Sequence, residues 1–282
     1  MAKKIWFITG ASRGFGRIWA EAALARGDSV AATARTLADV ADLKERFGDA
    51  VLPMALDVTN ADQVQQVVRQ AHAHFGKLDV VMNNAGYTLV ATAEEATEAE
   101  VRALFDTNYF GALRVIQAAL PLLRQQGSGH VIGVSSGLGL VTIPLVGFYC
   151  ATKWALEALH ESLAQEVGEF GIKVTLLEPG AYATGFGGPA SRKQAPAMAA
   201  YAPLREQFFG RLSDMERGDP KATAQAVLRI VDADKPPLRF ILGNNLPWVR
   251  GVYADRLKTW EEWETLSAAA QGQSRKEAVT AH

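Results

Sequence analysis

Cysteine is almost missing: Cys150 stands alone in 282 residues. No internal disulfide can form, so the fold draws nothing from an oxidising compartment. Charge of one sign is equally scarce, because 29 Lys and Arg are offset by 30 Asp and Glu for a formal net charge of −1. Such a balance leaves no electrostatic footprint for nucleic acid or an anionic membrane. Long apolar runs are lacking near the start, where Ile5 to Ile8 is too short for a secretory core or a membrane span. The expectation is a cytoplasmic protein with neither nucleic-acid nor membrane partner. What the chain does have is bulk apolar residue, 49% hydrophobic against 21% charged. That is the composition of a globular chain able to bury a large core.

Two periodicities alternate. Short apolar runs of strand length occur at Lys4–Thr9, Ser29–Thr33, Val51–Leu56, Leu78–Met82, His130–Ser135, Lys173–Leu177 and Leu238–Leu242. Between them lie helical stretches at Phe15–Arg26, Leu37–Phe47, Ala61–Phe75, Glu98–Leu123, Gly147–Phe170 and Pro220–Val231. Continuous apolar strands separated by helices predict an α/β fold, a Rossmann-type doubly wound parallel sheet covered on both faces. One domain over residues 1–270 accommodates the pattern. Residues 184–218, after the sixth strand, break it with Gly185, Gly187, Gly188, Pro189, Pro196, Pro203 and Gly210, and read as a lid-like insertion over a site. Residues 245–270 read as a helical extension holding Trp248, Trp260 and Trp263, and 271–282 as a frayed tail.

The turn Thr9-Gly10-Ala11-Ser12-Arg13-Gly14-Phe15-Gly16 joins the first strand to the first helix. Glycines there let a pyrophosphate approach the backbone and rest on the helix N-terminus, where free N–H groups and the dipole favour an anion. At the end of the second strand, where a ribose-binding acid would mark NAD, the chain reads Ala32-Thr33-Ala34-Arg35. Arg35 offers a planar fork for a 2′-phosphate and Arg13 could close on it, which points to NADP; a pair of solvated arginines is the plain alternative. Tyr149 and Lys153 are four apart on one helix face. An adjacent ammonium lowers a phenol's pKa toward the working range, which suits general acid–base chemistry. Ser136 ends the fifth strand at the sheet edge, where a hydroxyl can hydrogen-bond a carbonyl oxygen gaining charge. The same three side chains could equally be structural. Asn108, on the apolar stripe of the long helix, is either functional or a buried amide satisfied by backbone. His72 and His74 face different ways on one helix, so no metal site is expected.

Taken in order, these motifs resemble the short-chain dehydrogenase/reductase family. They are Thr9 to Gly16, Asp57-Val58, Asn83-Asn84-Ala85-Gly86, Asn108, Ser136, Tyr149-x-x-x-Lys153, and Pro179-Gly180 with Thr184 four on, covering about residues 4 to 245. The resemblance implies an NADP(H)-dependent carbonyl reductase with Tyr149 as general acid or base. Lys153 would lower its pKa and hold the nicotinamide ribose, Ser136 would polarise the carbonyl, and Asn108 would anchor a water. It further implies a dinucleotide held by Gly10, Ser12, Arg13, Phe15 and Gly16, with Arg35 on the 2′-phosphate and Asp57 and Val58 on the adenine. Asn84, Ala85 and Gly86 would line the centre, and Pro179, Gly180 and Thr184 the nicotinamide end. Ser136 is favoured over Ser135 on spacing. A homodimer or homotetramer through residues 98–123 and 147–170 is likewise implied. Leu138, Leu140, Val141, Ile143, Leu145, Val146 and Phe148, with Phe186, Met198, Tyr201, Phe208 and Phe209, would line an apolar pocket for a hydrophobic ketone or alcohol. A looser similarity runs to the 17β-hydroxysteroid dehydrogenase and retinol reductase branch. A non-catalytic NADP-binding module, or an isomerase or dehydratase on the same scaffold, are the other functions such a chain could have.

Overall fold

Seven of the apolar runs become parallel strands because both of their faces find cover. In a computed structural model describing residues 3–189 and 191–272 they are β1 (Ile5–Ile8), β2 (Ser29–Ala34), β3 (Val51–Ala55), β4 (Val80–Asn83), β6 (Gly129–Val134), β7 (Ile172–Pro179) and β9 (Arg239–Leu242). Their spatial order is β3-β2-β1-β4-β6-β7-β9, with every pairing parallel. Alternation along β1 sends Trp6 and Ile8 to one layer and Ile5 and Phe7 to the other. Helices α1 (Gly14–Ala25), α2 (Ala38–Phe47) and α8 (Thr223–Asp232) close the first layer with Trp19, Leu43 and Val227. On the second, α3 (Ala61–Phe75), α5 (Gly111–Gln126) and α6 (Gly147–Val167) bring Val68, Ile116 and Leu163. The doubly wound sheet foreseen from the periodicity is thus present. Strand order reverses between β1 and β4, the crevice where such sheets bind ligands.

The long helix expected over 98–123 is interrupted. A capping box of Thr97 and Glu100 starts α4 (Glu98–Phe105), then Asp106–Phe110 widens into a π-turn before α5 begins. A π-turn preserves the apolar stripe on either side, so periodicity alone does not reveal it.

The insertion is tied down in two places. A three-residue strand, β5 (Thr88–Val90), pairs in parallel with β8 (Arg192–Gln194), a small second sheet absent from the sequence reading. Further on, the Glu95 carboxylate accepts hydrogen bonds from Thr92 N (2.9 Å), Met198 N (2.9 Å) and Arg205 Nε (3.1 Å), so α7 (Ala202–Asp214) is anchored through a buried ion pair. The chain divides into two compact units between Gly243 and Asn244. The C-terminal unit contains α9 (Leu246–Glu262) and α10 (Glu264–Ala270), with exposed Trp248, Trp260 and Trp263. Most of the expected 271–282 tail, from residue 273 on, lies outside the described residues. No helix among the described residues is long and apolar enough to cross a membrane.

Hydrogen bonding by Arg205 is the chief cause that holds the Glu95 carboxyl below its ordinary value of 4.5, to about 2. A lowered carboxylate stabilises the fold fully above its unfolded value and loses that contribution as pH falls toward 2. Glu95→Gln is therefore expected to raise hydrogen exchange across 202–214 by about tenfold at neutral pH, leaving α6 unchanged. Mass spectrometry of exchanged peptides checks this, and parental protection of α7 would show that the ion pair is not the anchor.

Candidate active site

The glycine turn owes its shape to hydrogen bonds from the neighbouring strand end. Asn84 Nδ2 donates to Thr9 O (2.9 Å) and Gly10 O (3.0 Å), while Thr9 Oγ1 accepts from the backbone of Asn84 (2.9 Å) and Ala85 (3.0 Å). Gly10 takes φ +68°, and a Cβ on Gly16 would come within 2.4 Å of both Gly10 O and Asn84 Nδ2. Only glycine tolerates both demands. The first turn of α1 then opens with no side-chain cap and no acidic residue, leaving its N–H groups and positive dipole end directed at the crevice.

Around this turn the other expected cofactor residues gather. Ser12 is half-buried within it, and Arg13 donates from Nη2 to Ser191 Oγ (3.0 Å), linking the turn to the insertion. Phe15 points its ring away into the core, stacked on Trp19 at 4.9 Å and edge-on to Tyr182 at 5.2 Å, so its backbone is the part that lines the turn. Thr184 lies beside Gly14, and Gly180 N donates to Leu242 O at 3.0 Å after Pro179 ends β7. Arg35 is exposed just beyond β2 and has no hydrogen-bond or ion-pair partner among the described residues. Asp57 Oδ1 accepts from Thr59 N (2.9 Å) and Oγ1 (2.8 Å), shaping the turn that presents Val58.

A second group forms where β6 meets α6. The Tyr149 phenol faces the Ser136 hydroxyl, whose Oγ accepts from Leu138 N at 3.1 Å. Lys153 Nζ donates to Val134 O at 2.8 Å and lies 5.7 Å from the Tyr149 ring centre. Ser135 turns to the opposite side, beside Glu157. Burial raises the Tyr149 phenol above its ordinary value, against the opposing influence of the Ser136 hydroxyl. Desolvation is the largest influence on the phenol in this buried setting. Tyr149 is accordingly a neutral O–H donor. Burial also draws Lys153 down to about 8, partly opposed by Glu157.

Asn108, 2% exposed in the π-turn, clamps the strand end opposite. Its Oδ1 accepts from Tyr87 N (3.0 Å) and its Nδ2 donates to Tyr87 O (2.9 Å) and Thr152 Oγ1 (3.1 Å). Gly86 sits between this amide and Lys153 Nζ. Thr9, Thr152 and Ser191 are positioning residues that the sequence reading left unassigned. Thr9 opens the glycine motif and was legible there; Thr152 and Ser191 carry no local signal.

Over Tyr149 lies apolar surface. Phe186, 41% exposed, has its ring 5.8 Å from the phenol, and Leu145, Val146 and Cys150 pack beneath it with Leu138, Ile143, Phe148, Phe208 and Phe209 at the margin. The arrangement can present a neutral acid and a hydroxyl to one oxygen of an apolar molecule beside an anion-binding helix end.

The "short chain dehydrogenase" family profile matches residues 4–195. The chain is 41% identical over 273 residues to oxidoreductase BOA17 of Botryotinia fuckeliana, covering 95% of this chain and 99% of that one. It is 36% identical over 265 residues to a 3-ketodihydrosphingosine reductase of Bacteroides thetaiotaomicron, with 92% and 94% covered. A solved short-chain dehydrogenase from Streptomyces avermitilis superposes with a TM-score of 0.87 at 39% identity, covering 95% of this chain and 98% of that one.

Gly16→Ala is expected to lower the unfolding free energy by about 2 kcal/mol through overpacking against Asn84 and Gly10. Gly147→Ala, at an open position in the first turn of α6, should be neutral or slightly stabilising. Urea unfolding of the two variants checks the pair, and equal stabilities would contradict the close approach.

Proposed function

Because the chain belongs to the short-chain dehydrogenase family, we propose that it is an NADP(H)-dependent oxidoreductase that reversibly reduces apolar ketones and aldehydes. The observation that carries this reading is the neutral Tyr149 hydroxyl facing Ser136 at the foot of an apolar wall, one helical turn from a buried amine. The residues present fit a dinucleotide. An uncapped helix end without acidic residues suits a pyrophosphate, and unpartnered Arg35 suits a 2′-phosphate better than a ribose diol.

Bound there, the nicotinamide would supply hydride from its C4 to the carbonyl carbon. Tyr149 gives its proton to the carbonyl oxygen as charge develops, and Ser136 donates a second hydrogen bond to the same oxygen. Lys153, charged at neutral pH, stabilises the phenolate left behind. In the oxidative direction the same residues act in reverse. Phe186 and the Leu145–Phe148 segment exclude water and select apolar substituents. The 3-ketodihydrosphingosine reductase among the relatives supports a ketone on an apolar chain as the substrate class. Retention of both Tyr149 and Lys153 favours turnover over a regulatory nucleotide-binding role.

Tyr149→Phe is expected to cut kcat by at least about 10²-fold while NADPH affinity stays within about twofold. Loss of reduced-nicotinamide absorbance with a panel of aryl and long-chain ketones, alongside calorimetry, separates the two effects; an active Tyr149→Phe enzyme would refute the assignment. Arg35→Asp should turn the preference from NADPH to NADH by about 10-fold or more in kcat/KM, one lost charge-assisted contact plus one new repulsion. An unchanged preference would remove Arg35 from the cofactor site.

A further inference from the structure

The face of α6 that carries Tyr149 and Lys153 continues inward to Glu157, four residues on, and then to Glu161. Glu157 is 4% exposed, and so is Glu178 at the end of β7, at 1%. Arg239, opening β9, donates from Nε to Glu157 Oε2 (3.0 Å) and from Nη2 to Glu161 Oε2 (2.8 Å), and its Nε lies 3.6 Å from Glu178 Oε1. Glu157 Oε1 and Glu178 Oε1 are both buried with no hydrogen-bond partner among the described residues, and both carboxylates flank the same Arg239 Nε. Two carboxylates in contact with one shared guanidinium cannot both ionise. A proton held between them satisfies the orphaned oxygens.

The remaining groups that face this column are few. From α6 come Tyr149, Cys150, His160 and Glu161; from the end of β6, Ser135 and Ser136; from β7 and β9, Glu178 and Arg239. His160 donates from Nδ1 to Leu156 O (2.9 Å) and burial keeps its imidazole down at about 4, so it is uncharged. With Glu178 protonated, Lys153 and Arg239 balance Glu157 and Glu161 charge for charge. Were Glu178 ionised, a buried negative charge would be left over, which is costly.

Resting on the reading of Tyr149 as proton donor, we propose that Glu157 is a positioning residue. Its ionised carboxylate, held by Arg239 and by a proton on Glu178, keeps the Lys153 amine charged beneath the phenol. Glu178 is the neutral member of the pair; burial, then the adjacent Glu157, pushes it up to about 8. Without the Glu157 charge, desolvation of Lys153 is unopposed and its amine loses its proton at lower pH.

The test is to titrate Lys153 by ¹³Cε NMR in lysine-labelled protein, its signal assigned with Lys153→Arg, beside the pH profile of kcat/KM for ketone reduction. In Glu157→Gln the amine titration and the alkaline limb of the profile should both move down by about one pH unit or more. Glu157→Asp, which restores the charge, should recover most of the shift. Glu178→Gln replaces a neutral O–H donor with a neutral N–H donor, so Lys153 should titrate within about 0.3 unit of the parent. An unmoved Lys153 in Glu157→Gln overturns the proposal, and so does a Glu178→Gln shift as large as that of Glu157→Gln. The titration needs no turnover: if Lys153 moves as expected in a protein that reduces no ketone, the functional reading fails while this one stands.

Discussion

An ammonium taken out of water is the constraint on which the candidate site turns. Lys153 is buried beneath the sheet edge, and removing its charge from solvent costs several kcal/mol unless other groups replace the lost hydration. The Val134 carbonyl supplies one hydrogen bond at 2.8 Å and Glu157 supplies opposite charge. Both depend on where α6 lies against β6, and that placement depends on the apolar packing of Leu163 and Val167, about three and four turns further along. The large second core layer therefore does more than hold the fold together: it sets where the amine and the phenol, both on α6, meet the end of β6.

The opposite half of the crevice is governed by a different interaction. Asn84 and Thr9 exchange hydrogen bonds across β1 and β4 at the point where strand order reverses, and so hold the glycine turn away from the sheet. Asn108 repeats the device one loop later, holding Tyr87 by both of its backbone groups. A half-buried amide at Asn84 and a buried one at Asn108 bridge these segments because the ends of parallel strands leave backbone donors and acceptors that need partners. The glycine turn and the Tyr149–Lys153 group are thus joined by the short segment Asn84 to Tyr87.

Legibility in the sequence followed the range of each interaction. Apolar runs and helical spacing are local, so the alternation of seven strands with helices was readable, as was the glycine turn, whose steric demands admit no other residue at Gly16. Strands of three residues have no readable period, which hid β5 and β8. The π-turn left the apolar spacing of its helix intact. Glu95 and Arg205 are 110 residues apart, and nothing local distinguishes them from solvated surface charges. Glu157 is the most instructive case: a carboxylate four residues after a lysine on a helix ordinarily describes an exposed ion pair worth a few tenths of a kcal/mol. Only the sheet packed over it, bringing Glu178 and Arg239, turns it into a buried charge.

That difference of range also explains how the insertion can be both fixed and adaptable. Its far end is held by the Glu95–Arg205 pair and its middle by the β5–β8 pairing, whereas Phe186, closest to the phenol, lies in the stretch between Thr184 and β8, and its side chain stays partly exposed. Substitutions near Phe186 therefore change the apolar surface over Tyr149 without disturbing either anchor. Substitutions along the Tyr149, Lys153 and Glu157 face alter the balance of buried charge instead. The apolar cover and the buried charges thus sit on separate elements, the insertion and α6, with the rings of Phe186 and Tyr149 5.8 Å apart where they approach.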